Sequence, residues 1–255
     1  MATYTGTTGN DGLVGTTADD LFLPLTGRDT VEGGGGLDLL SLDWSALLEN
    51  GGGGAITATG NAFAGALAVG TGSGTALQFG AIRALDLTLS AGSDTLVFDA
   101  APLALGATAS INGGAGLDLL RADFSAFAST SFTQGVNFLI ASSHGSFAGF
   151  EQFDLTLGTG TNTVTLQSGA DTIRSTGGVD QIDGGAGRDL WLADFSQWSS
   201  SLSFGWDGDG NRAAVSNGTY VQRVEGGAVR GGTADDAFFL NGANPFAVEG
   251  GEGRD

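Results

Sequence analysis

Polar and apolar positions repeat at a nine-residue interval in two parts of the chain. In both parts an Asp or Asn recurs every nine residues, and an apolar residue follows it two positions later. The polar positions are Asp11, Asp20, Asp29, Asp38, Asn162, Asp171, Asp180 and Asp189. The apolar positions are Leu13, Phe22, Val31, Leu40, Val164, Ile173, Ile182 and Trp191. Nine residues suit one turn and one short strand, so the pattern predicts a flattened coil of two such units, stacked into parallel sheets.

Four glycine-rich segments extend this repeat over the whole chain. They read GGGGLDLLSLDWS from Gly33, GGAGLDLLRADFS from Gly113, GGAGRDLWLADFS from Gly184 and GGEGRD from Gly250. We predict an all-β fold, a parallel β-roll or β-solenoid that runs continuously over residues 1–255. Four roll units are expected near 9–40, 92–120, 158–191 and 231–255. They are interrupted by longer β-excursions at 41–91, 121–157 and 192–230.

Coil stacking would bring the repeated aspartates into columns about 4.8 Å apart. Two columns come from enlarged coils, because Asp94 precedes Asp118 by 24 residues and Asp236 precedes Asp255 by 19. Stacked carboxylates repel unless a cation lies between them, and glycines let backbone carbonyls turn towards the same point. An all-oxygen cage suits Ca²⁺. The predicted metal ligands are Asp11, Asp20, Asp29, Asp38, Asp94, Asp118, Asn162, Asp171, Asp180, Asp189, Asp236 and Asp255, with backbone carbonyls near Gly34, Gly36, Gly114, Gly116, Gly185, Gly187, Gly251 and Gly253.

These residues follow a known nonapeptide pattern, GGxGxDxUx, in which U is a large apolar residue. The sequence resembles the RTX (repeats-in-toxin) family of calcium-binding β-rolls, most closely over residues 9–40 and 158–191. The opening MATYTGTTGNDGLVG is similar to the start of such an array. The resemblance implies a right-handed parallel β-roll that holds several Ca²⁺ ions between successive turns. It also implies export by a type I system that reads an uncleaved C-terminal signal.

Composition narrows the possible partners. The chain has 47 Gly and 22 Asp but only six Glu, nine Arg and no Lys, which gives a net charge of −19. Nucleic acid and anionic membrane surfaces are therefore unfavourable partners, because binding them requires clustered cations. No apolar run approaches the roughly 18 residues of a membrane span. The absence of Cys excludes disulfides and thiolate metal sites.

Catalytic motifs are scarce, so we expect no enzymatic activity within this chain. His144 is the single histidine and lies in ASSHGSFAG, without a nucleophile elbow. The segment GWDGDGN, with Asp207 and Asp209, resembles the start of an EF-hand loop but lacks the later glutamate, which favours a hairpin turn.

Two further residue sets recur beside the glycine-rich segments. Asp43, Asp123 and Asp194 precede an aromatic residue and Ser, and we expect them to cap a turn rather than to bind metal. The aromatic residues Trp44, Phe124, Phe195 and Trp191 are expected to pack in the core.

The sequence predicts a secreted calcium-binding structural module of the surface-layer, extracellular matrix or adhesin type. One alternative is a non-catalytic appendage of a type I secreted enzyme or toxin. A second is a polysaccharide-binding module, which would use exposed tryptophans at Trp198 and Trp206. End-to-end self-association and cell-surface polysaccharide are the expected partners, and the expected location is extracellular or at a bacterial cell surface.

Overall fold

The computed structural model describes residues 1–45, 56–61, 65–69, 76–100, 107–135, 140–142, 145–207, 211–241 and 246–255. This part of the chain contains strands and turns, and none of it forms a helix that could cross a membrane. Most strands are short, and eight of them begin at or just after a repeat Asp.

The strands of the first half of the chain are numbered in chain order. They are β1 (Ala2–Thr5), β2 (Gly12–Val14), β3 (Asp20–Leu23), β4 (Arg28–Glu32), β5 (Leu39–Asp43), β6 (Ile56–Asn61), β7 (Gly65–Val69), β8 (Ala76–Gly80), β9 (Ala84–Thr88), β10 (Thr95–Asp99), β11 (Thr108–Asn112), β12 (Leu119–Asp123), β13 (Ser131–Gln134) and β14 (Ile140–Ser142).

The numbering continues through the second half. These strands are β15 (Gly145–Ala148), β16 (Gln152–Thr156), β17 (Thr161–Thr165), β18 (Ser168–Gly169), β19 (Thr172–Ser175), β20 (Val179–Asp183), β21 (Ala186–Gly187), β22 (Leu190–Asp194), β23 (Ser203–Asp207), β24 (Arg212–Val215), β25 (Tyr220–Gln222), β26 (Gly226–Arg230), β27 (Ala237–Asn241) and β28 (Phe246–Glu249).

The chain divides into two compact units. Among the described residues, the first contains 1–122, 140 and 145–151, and the second contains 123–135, 141–142 and 152–255. In the first unit the strand orders are β1-β3-β5-β9-β11-β15 and β2-β4-β8-β7-β6-β10-β12. In the second they are β13-β17-β20-β25-β24-β23-β27 and β16-β19-β22-β26-β28, with the small pair β18-β21.

Parallel pairing at the predicted register dominates both units. Leu13 pairs with Val31 across β2 and β4, and Val164 pairs with Ile182 across β17 and β20. Equivalent residues of neighbouring coils therefore stack directly, as the nine-residue repeat requires. The prediction of an all-β fold with parallel roll or solenoid sheets is confirmed.

Antiparallel strands occur inside two of the predicted excursions. The run β6-β7-β8 lies within residues 41–91, and β23-β24-β25 lies within 192–230. In each case the last strand of the run also pairs in parallel with a roll strand, β4 for β8 and β20 for β25. Each antiparallel run therefore extends the sheet of the roll strand with which it pairs.

The core of each unit lies between its two sheets. Seven of the eight apolar repeat residues are at most 2% exposed, and Leu13 in the first coil is half-buried. Aromatic rings from the two sheets meet in this layer, with centroids 5.7 Å apart for Phe98 and Phe147 in the first unit and 5.6 Å apart for Phe132 and Phe153 in the second. Trp44, Phe124, Phe195 and Trp191 are all buried, as predicted.

Candidate metal centres

The repeat aspartates form hydrogen-bonded columns along the edges of the sheets. In each column the carboxylate Oδ1 of one Asp accepts the backbone N–H of the Asp one coil earlier. The N···O distance is 2.9 Å for Asp11–Asp29, Asp20–Asp38 and Asp171–Asp189, 2.7 Å for Asp94–Asp118 and 2.8 Å for Asp236–Asp255. The two enlarged coils keep the same bond, because the extra residues lie in the rest of the coil.

The sixth predicted pair combines an amide with a carboxylate. Asn162 pairs with Asp180 in the β17–β20 register, and its Nδ2 donates to Asp180 Oδ1 at 2.7 Å. The same amide donates to the carbonyl oxygen of Gly158 at 2.9 Å. The side-chain amide nitrogen of Asn162 thus donates hydrogen bonds towards these oxygens, and a donor cannot coordinate a cation at the same place.

The structure brings together all six predicted pairs at coil spacing. Most members are buried, whereas Asp11 is half-buried and Asp255 is exposed. The bonding differs from the expected geometry in one respect: a backbone N–H, and not open space, lies between the stacked carboxylates. An N–H donor partly offsets their mutual repulsion, so the columns do not by themselves require a cation.

The second carboxylate oxygen, Oδ2, separates the turns into two classes. In the first class it accepts the backbone N–H four residues earlier, from Thr7 to Asp11, Thr16 to Asp20, Ser90 to Asp94 and Gly232 to Asp236. The hydroxyls of Thr7, Thr16 and Ser90 donate to the same carboxylates. We call these closed turns. The bonds from Thr16 and Ala2 lower the pKa of Asp20 below its ordinary value.

In the second class, the open turns, Oδ2 is buried without a hydrogen-bond partner. This holds for Asp38, Asp118 and Asp189, each of which follows a GGxG sequence. Oδ2 of Asp171 and of Asp180 is also buried without a partner, but neither follows a GGxG sequence, and the name open turn is kept for the first three. The residue four positions earlier is Gly34, Gly114 or Gly185, with φ of 91°, 105° and 92°. This left-handed conformation turns the glycine N–H away from Oδ2: Gly114 and Gly185 instead donate to the side chains of Asn112 and Asp183.

An unsatisfied buried carboxylate oxygen is costly, at roughly 1–3 kcal/mol for a neutral group and more for a charged one. The same burial disfavours the charged form of these carboxylates and so raises their pKa values. Burial, with a smaller contribution from Asp94 and Glu151, raises the pKa of Asp118 to about 7. Burial, with smaller contributions from Glu225 and Asp183, raises the pKa of Asp189 to about 6. Burial also raises the pKa of Asp38.

Each open turn meets a residue with left-handed backbone from the next coil. We call these three places junctions 1, 2 and 3, and they consist of Gly33, Asp38 and Ala81; Gly113, Asp118 and Gly149; and Gly184, Asp189 and Arg223. The φ values of Ala81, Gly149 and Arg223 are 54°, 65° and 52°. Left-handed φ is uncommon for Ala and Arg, and such strain clusters at functional sites.

Two oxygens converge at each junction on the position where a glycine Cβ would lie. At Gly33 this position is 2.2 Å from the carbonyl oxygen of Ala81 and 2.7 Å from Asp38 Oδ2. The corresponding values are 2.4 and 2.9 Å at Gly113, and 2.3 and 2.9 Å at Gly184. Glycine is therefore required there, because a Cβ would overlap both oxygens. Gly15 and Gly231 stand in the same relation to Asp20 and Asp236 of the closed turns, so it is the unpartnered Oδ2 that distinguishes the junctions.

Glu151 and Glu225 extend two of the columns, and the sequence repeat did not reveal them. Glu151 Oε2 accepts the backbone N–H of Asp118 at 2.9 Å, and Glu225 Oε2 accepts that of Asp189 at 2.7 Å. They follow their aspartates by 33 and 36 residues, outside any fixed period. Each nonetheless lies two residues after the left-handed residue of its junction.

The other glycines predicted to supply carbonyl ligands pack closely against the previous coil. These glycines, Gly36, Gly116, Gly187, Gly251 and Gly253, also have left-handed φ, and the nearest backbone atom of the previous coil would lie 1.6–2.6 Å from a Cβ at each of them. Within the described ranges, no three carboxylate or imidazole side chains converge on one point. A cation at a junction would therefore use one carboxylate and backbone oxygens.

Asp43, Asp123 and Asp194 have the predicted capping role. Each carboxylate accepts the backbone N–H of the Ser two residues later, at 2.9, 2.8 and 2.8 Å. The bonds from Ser45 and Ser196 lower the pKa values of Asp43 and Asp194. Asp207 lies at the end of β23, which pairs with β24 as a hairpin. Asp209 and His144 lie outside the described residues.

The expectation of exposed tryptophans is wrong for Trp206. Its side chain is 3% exposed, and its ring lies 4.9 Å from that of Phe246 between centroids. Trp198 is half-buried. Trp206 therefore offers no open platform for a sugar.

Comparison with known proteins does not assign the chain to a family. No protein-family model matches the chain, and no curated protein is significantly similar to it.

Proposed function

We propose that this chain is a calcium-binding structural module of the RTX type, exported from the cell, without catalytic activity, and folded when it binds Ca²⁺. The observation that carries the proposal is the repeated junction geometry. At Asp38, Asp118 and Asp189 a buried carboxylate oxygen without a partner lies beside a backbone carbonyl, and only glycine leaves room there. A cation would satisfy both oxygens.

The chemistry of these groups favours a hard cation. The oxygens at the junctions are a carboxylate and a backbone carbonyl, which suit Ca²⁺, whereas the chain has no Cys and one His for softer metals. Twenty-eight acidic residues against nine basic ones oppose folding of the free chain. Binding energy would then contribute directly to folding energy. Millimolar external calcium would support folding after export, since extracellular modules bind at roughly 10⁻⁴–10⁻³ M.

The experiment compares the chain in millimolar Ca²⁺ and in EGTA. We expect EGTA to abolish the β-type far-UV circular dichroism signal, and re-addition of Ca²⁺, but not of Mg²⁺, to restore it. Native mass spectrometry of the folded chain should show several bound Ca²⁺ ions. An identical thermal melting curve in EGTA and in Ca²⁺ contradicts the proposal, because the buried carboxylates would then be stabilised without metal.

We also propose that copies associate end to end through the edges of their sheets. Leu240 of β27 pairs with the buried Trp206 and so occupies an inward position, yet it is 52% exposed. Strand β2 is an edge strand of a different sheet, and its Val14 is 65% exposed. Open edges of parallel sheets accept further strands, and head-to-tail pairing of unlike edges gives filaments. A surface-layer or matrix role is consistent with this behaviour.

A further inference from the structure

An open groove crosses the outer face of the second unit at strands β23, β24, β25 and β27. The strand registers place four outward residues in one row, in which Phe239 lies beside Gly205, Gly205 beside Ala214, and Ala214 beside Tyr220. Three strand spacings, about 14 Å, separate the two aromatic residues. The row therefore has an aromatic side chain at each end and two small residues between them.

A second row of polar side chains runs alongside the first. Asp207 pairs with Arg212 and with Asn241 on its two sides, and Arg212 donates to the Asp207 carboxylate at 2.8 Å. These contacts fix a donor and an acceptor next to each other along one side of the groove, with no net charge from the ion pair.

The floor of the groove is flat and accessible. A Cβ at Gly205 would meet nothing closer than the carbonyl oxygen of Ala214, at 3.9 Å, and φ at Gly205 is not left-handed. The groove has a volume of about 620 Å³. Its aromatic ends are open to solvent, since Tyr220 is 37% and Phe239 is 63% exposed. Because Gly205 and Ala214 fill so little space, a flat ring fits between the aromatic ends.

We propose that this groove binds an uncharged glycan chain. A pyranose ring has an apolar C–H face, which packs on aromatic side chains, and a rim of hydroxyls, which both donate and accept hydrogen bonds. Phe239 and Tyr220 supply the aromatic surfaces, and Asp207, Arg212 and Asn241 supply the polar partners. The neutral ion pair and the net charge of −19 disfavour anionic glycans. The shallow floor offers no deep apolar pocket for a peptide anchor.

The proposal is tested by isothermal titration of the full chain, in millimolar Ca²⁺, with cellohexaose, xylohexaose, mannohexaose and laminarihexaose, and with a galacturonic acid hexamer as the anionic comparison. We expect at least one neutral hexasaccharide to bind and the anionic one not to bind. Phe239→Ala and Tyr220→Ala should each lower the affinity about tenfold, as expected for loss of one aromatic contact of about 1.4 kcal/mol.

A steric variant tests the groove without removing any contact of the fold. Gly205→Val fills the floor and should abolish binding. Gly12→Val is the matched control, since Gly12 lies in exposed strand β2 and its Cβ would meet only Thr30 Oγ1, at 3.6 Å. Circular dichroism checks that both variants fold. The proposal is overturned if no neutral hexasaccharide binds, if Gly205→Val binds as well as the unchanged chain, or if Gly205→Val instead abolishes self-association, which would make the groove a contact between copies. None of these outcomes depends on calcium being the folding cation.

Discussion

The backbone N–H of Asp171 donates to Oδ1 of Asp189 at 2.9 Å, although the two residues are 18 positions apart. Asp189 in turn donates its own N–H to Glu225 Oε2 at 2.7 Å, and Asp171 Oδ1 accepts the N–H of Phe153 at 2.8 Å. One column of carboxylates thus joins four successive coils. Each carboxylate uses one oxygen for the column, so the role of the other oxygen decides whether a site can bind a cation.

Replacing an Asp in an open turn should remove a metal, and the same change in a closed turn should not. We expect Asp189→Asn to lose one Ca²⁺ in native mass spectrometry and to lower the thermal midpoint in Ca²⁺. Asp20→Asn is the matched control, because Thr16 already occupies its Oδ2. Asn162 shows that the column accommodates an amide. Equal loss of Ca²⁺ from both variants would show that the two classes of turn do not differ in binding.

The metal-free chain should lose stability as the pH rises from about 4 to about 8. Burial raises the pKa of Asp171 to about 8, that of Asp118 to about 7 and that of Asp189 to about 6, all above the value of about 3.9 in an unfolded chain. The folded state therefore binds more protons in this range, and deprotonation favours unfolding. Saturating Ca²⁺ should reverse the slope, because the cation binds the deprotonated carboxylates. The folded fraction in EGTA, from circular dichroism, and the thermal midpoint in Ca²⁺, each measured at several pH values, test both signs. A folded fraction in EGTA that does not fall as the pH rises would contradict the burial of these groups.

Adding a single methyl group at a junction should be disruptive. In Gly184→Ala the new Cβ would lie 2.3 Å from the carbonyl oxygen of Arg223 and 2.9 Å from Asp189 Oδ2, so backbone must move. We expect a loss of about 1–3 kcal/mol in the free energy of unfolding, measured in urea with Ca²⁺, and weaker calcium binding. Gly12→Ala, with nothing closer than 3.6 Å, should change neither. Similar stabilities for the two variants would mean that the junctions are not tightly packed.

A charge at the inward edge position of β27 should prevent self-association. We expect Leu240→Asp to remain a monomer in millimolar Ca²⁺, while the unchanged chain increases in mass with concentration, as measured by light scattering over a hundredfold range. Asn241→Asp adds the same charge at an outward position of the same strand and serves as the control. A strictly monomeric unchanged chain would reject end-to-end association.

The columns and the core could be predicted from the sequence because both depend on a local period. A residue pair 18 positions apart in a regular coil must stack, and alternation along a short strand fixes which side chains face inward. The same alternation in SLSFGW places Phe204 and Trp206 on the inner side, so the burial of Trp206 was available from the sequence. The open and closed turns are only partly local: Thr or Ser lies four residues before the Asp in three of the closed turns and a GGxG sequence precedes each open turn, but Gly232 stands at that place in the closed turn of Asp236.

Only the tertiary structure decided the junctions and the groove. Asp118 donates its backbone N–H to Glu151, and Gly205 pairs with Phe239 in the sheet. These residues are 33 and 34 positions apart, and neither separation matches a repeat. The excursions differ in length, and where each one rejoins the sheet depends on how its antiparallel strands pair. The sequence by itself determined the repeating coil, because its contacts recur at a fixed interval. It did not determine the left-handed conformation of Ala81 and Arg223, because neither residue favours it by itself and each adopts it where it packs against the glycine-rich turn of the preceding coil.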